Sequence, residues 1–159
     1  MPRGALLPAV LATSVLVGCV SAPDRDVTFS IEGPSSIEEH SVTTGPIRYC
    51  DVELVECENN DSAIAVLAVP ADQPIHISVP DSVAQTPWQV VFRYRKNGEQ
   101  VGGRSAVFTP GTRHDYTLQA PDSGTLEALE VQQYGAPELV NGEPNFRIRA
   151  AWALTVKEG

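Results

Sequence analysis

Aromatic residues make up only 6% of this 159-residue chain, and its one methionine is the initiator. Copper(I) sites favour thiolate and thioether ligands, so a chain without internal methionine is poorly equipped for soft-metal traffic. Cations are scarce as well: 11 Lys and Arg stand against 20 Asp and Glu, a net charge of −9. Such a surface repels nucleic-acid phosphates and anionic lipid heads, which excludes a nucleic-acid-binding role. Catalytic signatures are missing too. The chain carries no Gly-x-Ser-x-Gly elbow, no phosphate-cradling glycine loop and no His-Glu-x-x-His helix. No cofactor and no metal is expected. Nor does any apolar run reach the roughly 20 residues that a membrane-spanning helix needs.

The longest apolar run lies near the start, from Ala5 to Val17 behind Arg3, and has the length of a secretory h-region. It ends in Leu16-Val17-Gly18-Cys19. Small and aliphatic residues directly before a cysteine resemble the lipobox of bacterial lipoproteins, in which the chain is cut before the cysteine and the cysteine is diacylated. The resemblance implies a signal peptide over residues 1–18 and a lipidated Cys19. A short tether over 19–26 and a single domain over 27–159 would follow. A plain signal peptide cut nearby is the alternative. With Arg3 removed, the net charge moves from −9 to −10. The place expected for the protein is the extracytoplasmic face of the cell membrane, held there by acyl chains on Cys19.

With Cys19 taken by lipid, Cys50 and Cys57 remain, and an exported compartment is oxidising. Six residues lie between them, which fits no common zinc spacing, so a disulfide is expected. The oxygen-rich run Glu56 to Asp61 would suit calcium by ligand type. It lacks the spaced ligands and glycine of a calcium loop, and a polar turn explains it equally well.

From Val27 onward the apolar pattern has period two, with turn residues between the runs. Strands are expected over 27–31, 42–50, 63–69, 74–79, 88–96, 99–108, 112–120, 126–132 and 146–156. Residues 126–132 have helical composition but the setting of a hairpin strand. A single helical turn is expected at 82–85. Ala63–Val69 is apolar on both faces, which places it centrally in a sheet. The last run alternates Phe146, Ile148, Ala150, Trp152, Leu154 and Val156 with more polar residues, and is read as structural. Together these runs predict an all-β fold, an antiparallel sandwich of broadly immunoglobulin-like architecture.

Asn97-Gly98 is the strongest hairpin signal, because both positions of a type I′ turn need positive φ. A two-residue loop sets Trp88 opposite Val107, Phe92 opposite Gly103 and Tyr94 opposite Val101. The other face then gathers Arg93, Arg95 and Arg104, a positive island on an acidic domain. Arginine binds carboxylate or phosphate in bidentate fashion, so these three are candidate partner-binding residues. The simpler reading is that they balance the domain's own acids across adjacent strands. His40, His76 and His114 are far apart in sequence and are read as surface or structural residues. His76 is placed on the solvent side of a strand.

Tyr49-Cys50-Asp51, Cys57, Ile77-Ser-Val-Pro80, Pro87-Trp88 and Ala151-Trp-Ala-Leu154, behind a lipobox, resemble a family of small actinobacterial lipoproteins known only as a domain of unknown function. The resemblance spans about Val27 to Val156 and implies an exported, lipidated, disulfide-containing domain. It brings no activity and no catalytic residue. The function expected is a non-enzymatic binding or accessory module of the cell envelope that meets an acidic protein or polymer. Carriage of a lipid or other apolar ligand is the alternative, and a hydrolase built on a carboxylate–histidine pair is a third.

Overall fold

The computed structural model describes Met1 and residues 24–32 and 39–159. The expected cleavage site, Cys19 and the expected tether up to residue 23 lie outside the described residues, as does Glu38 beside His40. Thirteen strands are described: β1 (Val27–Glu32), β2 (Glu39–Thr44), β3 (Arg48–Cys50), β4 (Cys57–Asn59), β5 (Ala65–Val69), β6 (Ile75–Ser78), β7 (Trp88–Lys96), β8 (Glu99–Arg104), β9 (Asp115–Leu118), β10 (Thr125–Tyr134), β11 (Glu138–Val140), β12 (Glu143–Asn145) and β13 (Ile148–Glu158). One helical turn, α1 (Asp81–Ala84), lies between β6 and β7, where a turn between two prolines was expected.

The strands form a two-sheet sandwich. The smaller sheet runs β2-β1-β6-β9, and the larger runs β4-β3-β13-β10-β7-β8. One edge of β13 lies against β10. Its other edge is shared, Ala150 and Ala151 pairing with β3 while Leu154–Glu158 pair in parallel with β5. A third, two-stranded ribbon joins β11 to β12.

Period-two alternation builds the core from both sheets. Phe29, Ile75, Ile77 and Leu118 face inward from the smaller sheet, and Trp88, Val90, Val131, Trp152 and Leu154 from the larger. Both tryptophans are completely buried, and each indole nitrogen finds a backbone carbonyl, Trp88 that of Arg113 at 3.2 Å and Trp152 that of Arg25 at 2.8 Å. Buried indoles ordinarily need such a partner. Gln133 is almost fully buried and donates to the Ser82 carbonyl and the Thr86 hydroxyl, both at 2.9 Å, which fastens α1 onto β10.

Four sequence expectations change. Residues 42–50 are two strands, because Pro46 has no N–H for the ladder and the chain crosses from the smaller sheet to the larger there. Ala63–Val69 does not run centrally. Its paired part, β5, lies along the outer edge of β13 and buries Ala65, Leu67 and Val69, while Val66 remains 48% exposed. Phe146 stands outside the last strand, 43% exposed, where a register shift at Gln133/Tyr134 breaks the alternation.

The fourth change is in the hairpin. Phe92 faces Gly103 and Tyr94 faces Val101 as the turn requires, and Asn97 and Gly98 have φ of 52° and 82°. Trp88, however, pairs with Phe108 rather than Val107. The Ser105 hydroxyl accepts from the Val90 amide at 3.0 Å, taking the place of a backbone carbonyl. The ladder therefore slips by one residue beyond that point. The slip brings the Phe108 ring to 4.5 Å from the Trp88 ring, where it covers the indole.

Candidate binding face

On β7 the residues that point away from the core are Gln89, Val91, Arg93 and Arg95. Register places Arg93 between Gly102 of β8 and Ala128 of β10, and Val91 between Arg104 and Glu130. Glu130 in turn pairs with Ala153 of β13. Gly102, Ala128 and Ala153 thus form a low floor across the middle of the larger sheet. A hollow of about 810 Å³ opens over it, with Arg93 and Arg104 on one side and Ile64 and Thr155 on the other.

The three arginines of the expected island divide. Arg95 is already engaged: Nε and Nη2 bind Glu127 Oε1 at 2.7 and 2.6 Å, and Nη1 donates to the Gly98 carbonyl at 3.1 Å. Gln100 Nε2 donates to the other Glu127 oxygen at 2.6 Å. A bulge between Leu126 and Ala128 supplies this extra Glu127. The hydrogen bond from Gln100, followed by that from Arg95, holds the Glu127 carboxyl below its ordinary range. Charge balance therefore accounts for Arg95. Arg93 and Arg104, by contrast, make no ion pair within 4.0 Å among the described residues, although the Arg93 charge also acts on Glu127.

A polar chain that the sequence reading did not anticipate borders the hollow. Gln89 donates to the Tyr134 hydroxyl, Tyr134 donates to Gln132 Oε1 at 3.2 Å, and Gln132 Nε2 donates to Glu130 at 2.7 Å. Glu130, which flanks Val91 opposite Arg104, is thus bonded to an amide. Burial pushes the Tyr134 phenol above its ordinary value, against the hydrogen bond from Gln89 and the positive charge of Arg104. Alternate polar positions at 89, 130, 132 and 134 were the available signal, each on the outward side of its strand.

The histidines lie elsewhere. His76 is on the outer side of β6, 3.0 Å from Thr117 Oγ1 and 3.9 Å from Glu32. His114 Nδ1 is 3.3 Å from Asp81. Glu32 and Asp81 are 84% and 87% exposed, so neither pair is enclosed. His40 borders a separate hollow of about 440 Å³ with Ile31, Leu67 and Pro70.

At the opposite edge of the larger sheet, Cys50 of β3 is bonded to Cys57 of β4, its cross-strand neighbour. Tyr49 beside it is stacked under the Arg25 guanidinium at 4.0 Å, and its hydroxyl accepts from Arg149 at 3.0 Å. These contacts hold the start of the domain against β3. Among the described residues, no helix is long and apolar enough to cross a membrane.

No solved structure matches this chain. It is similar to an uncharacterized protein of Mycobacterium bovis and to uncharacterized proteins of two Mycobacterium tuberculosis strains. Each is 28% identical over 164 residues, covering 97% of this chain and 98% of the relative. These are actinobacterial proteins, as the resemblance implied. The family model described as "Protein of unknown function (DUF2771)" matches residues 26–157, the whole sandwich, and the chain belongs to that family.

Proposed function

We propose that this protein is a binding module of the cell envelope, anchored through lipidated Cys19, and that the hollow face of its larger sheet holds an acidic partner. The observation that carries the reading is the state of Arg93 and Arg104. Acids outnumber bases almost two to one in this chain, yet neither guanidinium is held in a close ion pair among the described residues. They stand over a floor of Gly102, Ala128 and Ala153, where larger side chains would fill the space. A guanidinium presents paired donors that match carboxylate or phosphate, and two of them on neighbouring strands make a site for an extended anion. The hollow crosses several strands at about 4.8 Å each, room for a short stretch of peptide or polymer.

The full acylated chain, purified from cells in mild detergent, tests this. Wild type and Arg95→Ser are expected to retain the same acidic component. Arg93→Ser/Arg104→Ser is expected to lose it while keeping its thermal midpoint, since exposed substitutions of this kind cost little stability. An unchanged partner on the double variant refutes the reading. The apolar hollow at Ile31 and Leu67 favours a second reading, carriage of a small apolar ligand, which native mass spectrometry would reveal as an added mass.

A further inference from the structure

Several exposed apolar side chains gather at one end of the sandwich. Val52 and Val55, 64% and 78% exposed, lie on the loop closed by the disulfide. Leu139, 76% exposed, and Val140 lie on the β11–β12 ribbon, with Phe146 at its base. Leu54 joins the two, packing over Gly135, 3.2 Å from where a Cβ would stand. Gly135 leads into the ribbon, and its amide bonds to the Arg147 carbonyl where the ribbon returns.

The start of the domain is fixed at this same end. The Asp24 carbonyl accepts from the Ser82 hydroxyl at 2.6 Å, and Ser82 is tied through its own carbonyl to Gln133, two residues before Gly135. Arg25 lies over Tyr49, the neighbour of Cys50. Five Cα-to-Cα steps separate Cys19 from Asp24, and whatever their path they span at most about 19 Å.

We infer that the disulfide loop and the β11–β12 ribbon rest on the bilayer surface, their apolar side chains entering the headgroup boundary beside the acylated Cys19. This rests on the proposed lipid anchor. A chain fastened at Cys19 cannot carry Asp24 farther than that reach, so this end of the domain is the one held nearest the lipid. Anchoring by acyl chains is strengthened when a second apolar contact adds to it. Glu53, Glu56, Glu138 and Glu143 flank the apolar pairs, so the contact is with neutral or zwitterionic headgroups and not with anionic ones.

The test uses the full acylated chain reconstituted in phosphatidylcholine vesicles that contain brominated phosphatidylcholine. Trp88 and Trp152 are fully buried, so a tryptophan added on the surface reports separately from them. Leu139→Trp is expected to shift its emission to the blue and lose intensity to the bromine. Val55→Trp, on the other loop, provides the same readout should the ribbon variant fail to fold. Glu99→Trp, beside the Asn97-Gly98 turn at the far end of β7, is expected to do neither. Unquenched emission at both 139 and 55 in protein that floats with the vesicles overturns the contact while leaving the anchor standing. Protein that does not float with the vesicles overturns both.

Discussion

The Trp152 indole donates to the Arg25 carbonyl at 2.8 Å, so the last strand of the chain secures the first residues of the domain. Trp152 is also one of the largest fully buried side chains. Trp152→Ala is therefore expected to lower stability by about 3–5 kcal/mol in urea denaturation. Trp152→Phe keeps most of the packing but leaves the Arg25 carbonyl without its donor, at a cost of about 1–3 kcal/mol. Hydrogen exchange near residues 24–26 should rise in the phenylalanine variant. A chain truncated before Trp152 loses most of β13, which pairs with β10 and β5, and is expected not to fold.

The Phe92 ring lies over Gly103 and takes the space that a Cβ there would need. Gly103→Ala should destabilise the domain by about 1–3 kcal/mol through overpacking. The neighbouring Gly102 has nothing within 4 Å of a Cβ, and Gly102→Ala should be close to neutral. Combining Gly103→Ala with Phe92→Leu should recover part of the loss. Chemical denaturation of the four proteins checks the coupling.

Glu127 accepts from Gln100 and Arg95, and both hold its carboxyl below the ordinary value of 4.5. A folded-state value below the unfolded one gives stability that is present above the unfolded value and lost as pH falls through the folded one. Carbon-detected NMR titration should find the Glu127 midpoint below that of an ordinary glutamate. Gln100→Ala should move its midpoint upward, and adding Arg95→Ser should move it further up, with Arg93 left as a smaller lowering influence. The double variant should then lose less stability than wild type as pH falls from neutral through the glutamate range.

The Cys50–Cys57 bond closes a loop with a sequence separation of 7. On the chain-entropy model, removing it by Cys50→Ala/Cys57→Ala should cost about 2.5 kcal/mol. Urea midpoints with and without reductant measure this, and the variant should be indifferent to reductant.

Much of this architecture was legible in the residues because period-two runs and turn dipeptides act locally. Asn97-Gly98 set the pairing of Phe92 and Tyr94, and the alternation around Trp152 set the inward face of β13. Trp88 escaped the same rule because a side chain, the Ser105 hydroxyl, entered the ladder, which backbone periodicity does not register. The β11–β12 ribbon carries the same Asn-Gly signal at 141–142, both with positive φ, but Pro144 and the lack of apolar alternation hid its strands. At the candidate face, sequence placed the three arginines together. Which of them would be engaged depended on Glu127, brought to Arg95 by a bulge that no local pattern marks.

A photoreactive amino acid in place of Ala128, on the floor between Arg93 and Thr155, reports most directly on whether that face is occupied in living cells. An adduct with an acidic envelope component, absent when Arg93 and Arg104 are both serine, is the predicted result. No adduct at this position, or one that survives loss of both arginines, contradicts it.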